Sequence, residues 1–131
     1  MMTRRLKTIA VVDDDDSVRR ALGQLLAAHG YGVELYGSAE AFISARLESE
    51  AWCLLVDVQL PDLSGVELGR ELAANGLNFP IIFMTGSIDE TVRRQALDFG
   101  CVAFLPKPMD VDTLLAAVAD AIGPPPGQST H

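Results

Sequence analysis

Five short runs of strand-like residues, each followed by a stretch with helical spacing, constrain this chain more than any other feature. Four runs, at 9–12, 54–56, 81–84 and 102–105, are nearly continuous in apolar residues. Runs this short, rich in β-branched residues and bounded by turn formers, suit strands buried on both faces of a parallel sheet. The fifth, Val33-Glu34-Leu35-Tyr36, alternates and reads as an edge strand. Helical stripes lie between them. Val18, Leu22, Leu25 and Leu26 make the first, with Gly30 just past its end. Ser38, Ser64, Asp89 and Asp110 stand where later helices need N-caps, and Asn75-Gly76 and Gly100 where two of them stop. Fivefold β-α alternation predicts an α/β fold, a flavodoxin-like (βα)5 doubly wound parallel sheet with right-handed crossovers. With the alternating run at an edge, the expected strand order is 2-1-3-4-5. The domain is expected over residues 1–122, and 123–131, with Pro124-Pro125-Pro126, as a flexible Pro-rich tail.

A chain of 131 residues suits one domain that buries about two-thirds of its unfolded surface. Its net charge of -8 disfavours direct contact with a nucleic acid backbone, where Lys and Arg must displace counterions. The same charge suits recruitment of cations or basic surfaces. No apolar run approaches a membrane span, and no secretory segment follows Arg4-Arg5-Lys7, so a cytoplasmic protein with no membrane contact is expected. Cys53 and Cys101, far apart and without clustered His, read as reduced, buried thiols. His29 and His131 have no partner in the pattern that would make either a ligand or a base.

Four consecutive carboxylates, Asp13 to Asp16, follow directly on the first apolar run. Two carboxylates about 4 Å apart repel by roughly 4 kcal/mol at an effective dielectric near 20. A cation belongs among them. Asp57 also ends an apolar run, and strand order 2-1-3-4-5 makes its strand the neighbour of the first, at the point where ligands bind such sheets. Carboxylates gathered this way form a hard-cation site with oxygen ligands. Thr85 ends the next run, and Lys107 follows the last in Phe104-Leu105-Pro106-Lys107-Pro108. One crevice would thus hold carboxylates, a hydroxyl and an ammonium, each from a different strand end.

With these residues in view, the chain resembles the receiver domains of two-component response regulators. Val11-Val12-Asp13-Asp14-Asp15, Leu55-Val56-Asp57, Leu60-Pro61-Asp62-Leu63-Ser64-Gly65, Met84-Thr85-Gly86 and Phe104-Leu105-Pro106-Lys107-Pro108 carry the likeness, over about residues 6 to 122. The wording of Ser38-Ala39-Glu40, Ser64-Gly65-Val66-Glu67 and Met84-Thr85-Gly86 is most similar to receivers of the nitrogen-fixation and nitrate-regulator type.

The resemblance implies a role for each position. Asp57 is the expected phosphoacceptor, taking a phosphoryl group from a sensor histidine kinase, with Lys107 and Thr85 assisting. Mg²⁺ is the expected cofactor, held by Asp14 and Asp57 directly, by Asp13 through waters and by the backbone carbonyl of Gln59. Pro108 after Lys107 suggests a cis peptide that aims the lysine inward. Thr85 and Phe104 are the expected switch pair, with Phe where many receivers carry Tyr. Gln59 and Ser87 are expected to tune phosphoryl lifetime. Asp15 is placed near the metal, and Asp16 at the N-cap of the first helix. Such a chain is a phosphoacceptor switch and not an enzyme with small-molecule turnover. Its implied partners are the kinase, a downstream protein and, through the face built by the fourth helix, fifth strand and fifth helix, a phosphorylation-dependent homodimer. The expected form is a stand-alone regulator; the alternative is the receiver part of a DNA-binding transcriptional regulator.

Two other classes share parts of this pattern. A flavodoxin-like FMN carrier needs a Ser/Thr/Gly-rich phosphate loop after the first strand, where this chain has carboxylates that repel phosphate. A phosphatase with an aspartyl nucleophile wants a second acid two residues on, and Gln59 stands there.

Overall fold

In the computed structural model, which describes residues 6–86 and 89–125, the apolar runs become strands and the helical stripes become helices. Strands β1 (Thr8–Val12), β2 (Gly32–Tyr36), β3 (Ala51–Asp57), β4 (Ile81–Thr85) and β5 (Ala103–Pro106) form one parallel sheet in the order β2-β1-β3-β4-β5. Helices α1 (Asp16–Ala28), α2 (Ala39–Ala45), α3 (Gly65–Ala74), α4 (Glu90–Phe99) and α5 (Val111–Ile122) alternate with them. The flavodoxin-like expectation holds in architecture and in strand order. Strand β3 begins at Ala51, earlier than the expected 54–56, because its backbone already pairs there with Thr8, while Trp52 remains half-exposed.

Period-2 alternation divides the strand residues between two cores. Ile9, Val11, Cys53, Leu55, Ile82 and Met84 face α1 and α5, through Leu22, Leu26, Leu114 and Val118. Ala10, Val12, Leu54, Val56, Ile81 and Phe83 face the other three helices, through Phe42, Val66, Leu72 and Ala96. Cys53 is fully buried, and loss of hydration pushes its thiol up to about 12, which keeps it neutral and inert. Cys101, expected to be buried as well, is only partly so, because it lies in the turn between α4 and β5.

Polar residues terminate the helices as their chemistry requires. Ser38, Ser64, Asp89 and Asp110 each accept a backbone N–H in the first turn of α2, α3, α4 and α5. Gly100 ends α4 at φ +92°, a left-handed conformation that glycine adopts without a Cβ penalty. Past α5, Gly123 accepts a hydrogen bond from the Tyr31 hydroxyl at 3.2 Å, and Pro125 is buried beside Gly30. The first residues of the expected tail therefore lie against the end of α1, and its remainder falls outside the described residues. Among the described residues, no helix is long and apolar enough to cross a membrane.

Candidate functional site

Strand register decides what meets at the carboxyl edge. Val12 pairs with Val56, Asp57 with Met84, and Thr85 with Pro106, so the residues just beyond β1 and β5 converge on the ends of β3 and β4. Asp13 is fully buried there and Asp57 is 6% exposed, whereas Asp14 lies open to solvent. Carboxylate oxygens of Asp13, Asp14 and Asp57 lie within 4.8 Å of one another.

Lys107 reaches into this cluster. Its Nζ donates to Asp13 Oδ2 at 2.8 Å and to Asp57 Oδ2 at 2.7 Å, with the side chain 19% exposed. Burial is the largest influence on the ammonium and pushes it down, but hydrogen bonds and charge from Asp13 and Asp57 together hold it above its ordinary value. Three carboxylates against one ammonium leave two formal negative charges in the crevice. That excess, with oxygen donors and one exposed carboxylate open to water, fits a divalent hard cation.

Backbone hydrogen bonds hold the strand ends in place. Asp13 N–H donates to Tyr36 O at 3.1 Å, Val58 N–H to Met84 O at 2.9 Å, and Lys107 N–H to Thr85 O at 2.6 Å. The second oxygen of each buried carboxylate accepts a nearby amide: Asp15 N–H on Asp13 Oδ1 at 2.9 Å, and Gln59 N–H on Asp57 Oδ1 at 2.8 Å. Gln59 thus meets the site through its amide, and its side chain is exposed. The Lys107–Pro108 bond is cis, as expected.

Thr85 is buried at the end of β4. Phe104 pairs with Phe83 in the register and is partly buried against the core under α4. Alternation puts Phe83, Thr85 and Phe104 on one face of the sheet. The two expected switch residues therefore share a face of neighbouring strands. Ser87 lies outside the described residues.

One expectation for the acidic run needs correction. Asp15, not Asp16, is the N-cap of α1, its carboxylate accepting Val18 N–H at 3.1 Å, and it is not one of the clustered carboxylates. Asp16 is the first helical residue and pairs with Arg19 and Arg20. The helix starts one residue early because Asp15 is tied back to Asp13, which closes the turn.

Three contributors had no role assigned to them from the sequence. Arg19 donates to the Asp13 carbonyl at 2.8 Å. Asp62 accepts the N–H groups of Ala39 at 3.4 Å and Glu40 at 2.9 Å, so the loop after β3 caps α2, and these amides hold its carboxyl below the usual range. A Cβ on Gly65 would sit 2.8 Å from the Asp57 carbonyl oxygen and 3.0 Å from Val58 Cα, so only glycine lets α3 start this close to the site. Asp62 and Gly65 left a signal, as members of the Leu60-Pro61-Asp62-Leu63-Ser64-Gly65 motif, and Arg19 left none.

Known proteins resemble this chain in sequence and fold. The family model described as response regulator receiver domain matches residues 9–119. The transcriptional regulatory protein FixJ of Azorhizobium caulinodans is 39% identical over 115 residues, 88% of this chain and 54% of the relative. The response regulator protein TodT of Pseudomonas putida strain F1 is 35% identical over 130 residues, 99% of this chain and 57% of the relative. The chain spans about half the length of the curated relatives it matches. The crystal structure of FixJ-N superposes with a TM-score of 0.83 at 34% identity, covering 90% of this chain and 94% of that one. With the family model spanning nearly all of the sheet and its helices, this chain belongs to the response regulator receiver domains of two-component systems.

Proposed function

We propose that Asp57 accepts a phosphoryl group from the phosphohistidine of a sensor histidine kinase, and that the resulting acyl phosphate switches a protein-interaction face. The observation that carries this reading is the Lys107 ammonium bridging Asp13 and Asp57 in a cluster of three carboxylates. A carboxylate oxygen of Asp57 bonds to phosphorus as the P–N bond breaks, and the imidazole departs with the bond's electron pair. Gln59 N–H and Lys107 hold the Asp57 carboxylate in a fixed orientation, which supplies the positioning part of catalysis. Asp13, Asp14, Asp57 and the backbone carbonyl of Gln59 would hold Mg²⁺, which when bound offsets negative charge on the phosphoryl oxygens.

Phosphorylation adds roughly two negative charges and three strong acceptors at Asp57. Lys107 exchanges one carboxylate contact for a phosphoryl oxygen, Thr85 turns to donate to another, and Phe104 moves into the space Thr85 leaves. The change is read on α4, β5 and α5, where Leu97, Val102 and Val111 are exposed. An apolar face of this kind suits a downstream protein or a phosphorylation-dependent homodimer, and size-exclusion chromatography with and without phosphorylation separates the two. A receiver within a longer transcriptional regulator is favoured over the stand-alone form by the share of the relatives that this chain covers. The size of the native protein in cell extract decides between them.

The central reading is tested by intact mass after incubation with a small acyl-phosphate donor. One phosphoryl adduct is expected on the wild type, dependent on Mg²⁺ and absent from Asp57→Asn. An adduct retained by Asp57→Asn would refute it.

A further inference from the structure

Arg19 lies in the first turns of α1, yet its side chain is only 19% exposed, against 71% for the adjacent Arg20. Its guanidinium fork spans two partners. Nη1 donates to the backbone carbonyl of Asp13 at 2.8 Å, and Nη2 to Asp16 Oδ1 at 2.6 Å. Behind it stands Gly37 in the turn after β2, where an added Cβ would lie 3.4 Å from Nη1. The same turn receives the Asp13 N–H through the Tyr36 carbonyl. Both backbone groups of Asp13 are therefore held, the amide by β2 and the carbonyl by Arg19, while its carboxylate faces the crevice.

We propose that Arg19 is a positioning residue that braces the acidic loop from behind and sets its affinity for a divalent cation. This rests on the cation reading of Asp13, Asp14 and Asp57 given above. The planar fork matters more than the charge. A lysine has no rigid pair of donors and cannot span the Asp13 carbonyl and Asp16 together. Charge alone has the opposite sign, because a positive group beside the cluster repels a cation, so removing it would tighten binding.

The test measures Mn²⁺ affinity by electron paramagnetic resonance and Mg²⁺ affinity by calorimetry, in wild type, Arg19→Lys, Arg19→Gln and the charge control Arg20→Gln. Exchange of the Asp15 amide is followed in metal-free protein. Both Arg19 variants are expected to bind about tenfold more weakly, as when the groups that orient metal ligands are removed. Asp15 exchange, slowed by its bond to Asp13 Oδ1, is expected to rise in both, while Arg20→Gln binds as the wild type does or more tightly. Arg19→Lys binding like wild type would overturn the proposal, as would tighter binding by Arg19→Gln. Arg19→Lys keeps the charge and a long side chain, and its thermal melt reports whether the domain is folded. A wild type that takes up neither ion would sink the cation reading itself, a result distinct from cation binding that ignores Arg19.

Discussion

Lys107 holds together a group of charges that would otherwise push apart. Its raised value sets the sign of a pH effect: stability from its pairing is fully present below its ordinary 10.5 and lost as pH rises through the folded value above that. Denaturant unfolding should therefore find Lys107→Met less stable than wild type at pH 7, by at most about 3–5 kcal/mol, the cost of breaking a fully buried pair. The gap should close only in strongly alkaline solution. Asp14 is the opposite case, an exposed carboxylate with two like neighbours. Asp14→Asn should raise the melting temperature of metal-free protein by a few degrees and remove most of the stabilisation that Mg²⁺ gives. Asp13, Asp57, Thr85 and Lys107 were legible in the sequence because each lies at or just past the end of an apolar run. The contacts of Arg19 with the Asp13 carbonyl and of Asp62 with the start of α2 were not, because these are backbone groups that only folding brings near.

Loops and helix starts around the site are locked to one another at the scale of elements. Gly65 lets α3 begin against the backbone of Asp57 and Val58. Gly65→Ala should cost about 1–3 kcal/mol in urea unfolding, since the clashing atoms are backbone and cannot turn aside. It should also slow phosphorylation of Asp57 by a small donor. Asp62 ties the loop after β3 to the start of α2. Its folded value is lowered by those amides, so its contribution is full above about pH 4, the ordinary carboxylate range, and is lost as pH falls through the lowered value. Asp62→Ala should therefore destabilise at pH 7 and match wild type in strong acid, by denaturant titration at each pH. The starts of α2 to α5 were readable because a single Ser or Asp marks each locally, whereas the four aspartates before α1 offered more than one cap. The start of β3 was read three residues late: Ala51, Trp52 and Cys53 extend the apolar run upstream of Leu54, and the backbone pairs there although Trp52 is left half-exposed.

Across the whole molecule, strand order brings together residues 44 positions apart, as with Asp13 and Asp57, and 94 apart, as with Asp13 and Lys107. The buried-strand runs implied a parallel sheet and the alternating run implied its edge, which is why the topology could be read in advance. The proposed coupling between the crevice and the face of α4, β5 and α5 is a different matter. It depends on how two conformations differ in energy, and phosphorylation shifts that balance only by its differential stabilisation of one of them. The claim beneath all of this is that Asp57 takes the phosphoryl group. Borohydride reduction of acyl-phosphate-treated protein, followed by peptide sequencing in the mass spectrometer, tests it most directly. The acyl phosphate should be reduced to homoserine at position 57 alone, and only when Mg²⁺ was present during phosphorylation. Homoserine at 13 or 14 with Asp57 intact would contradict the account.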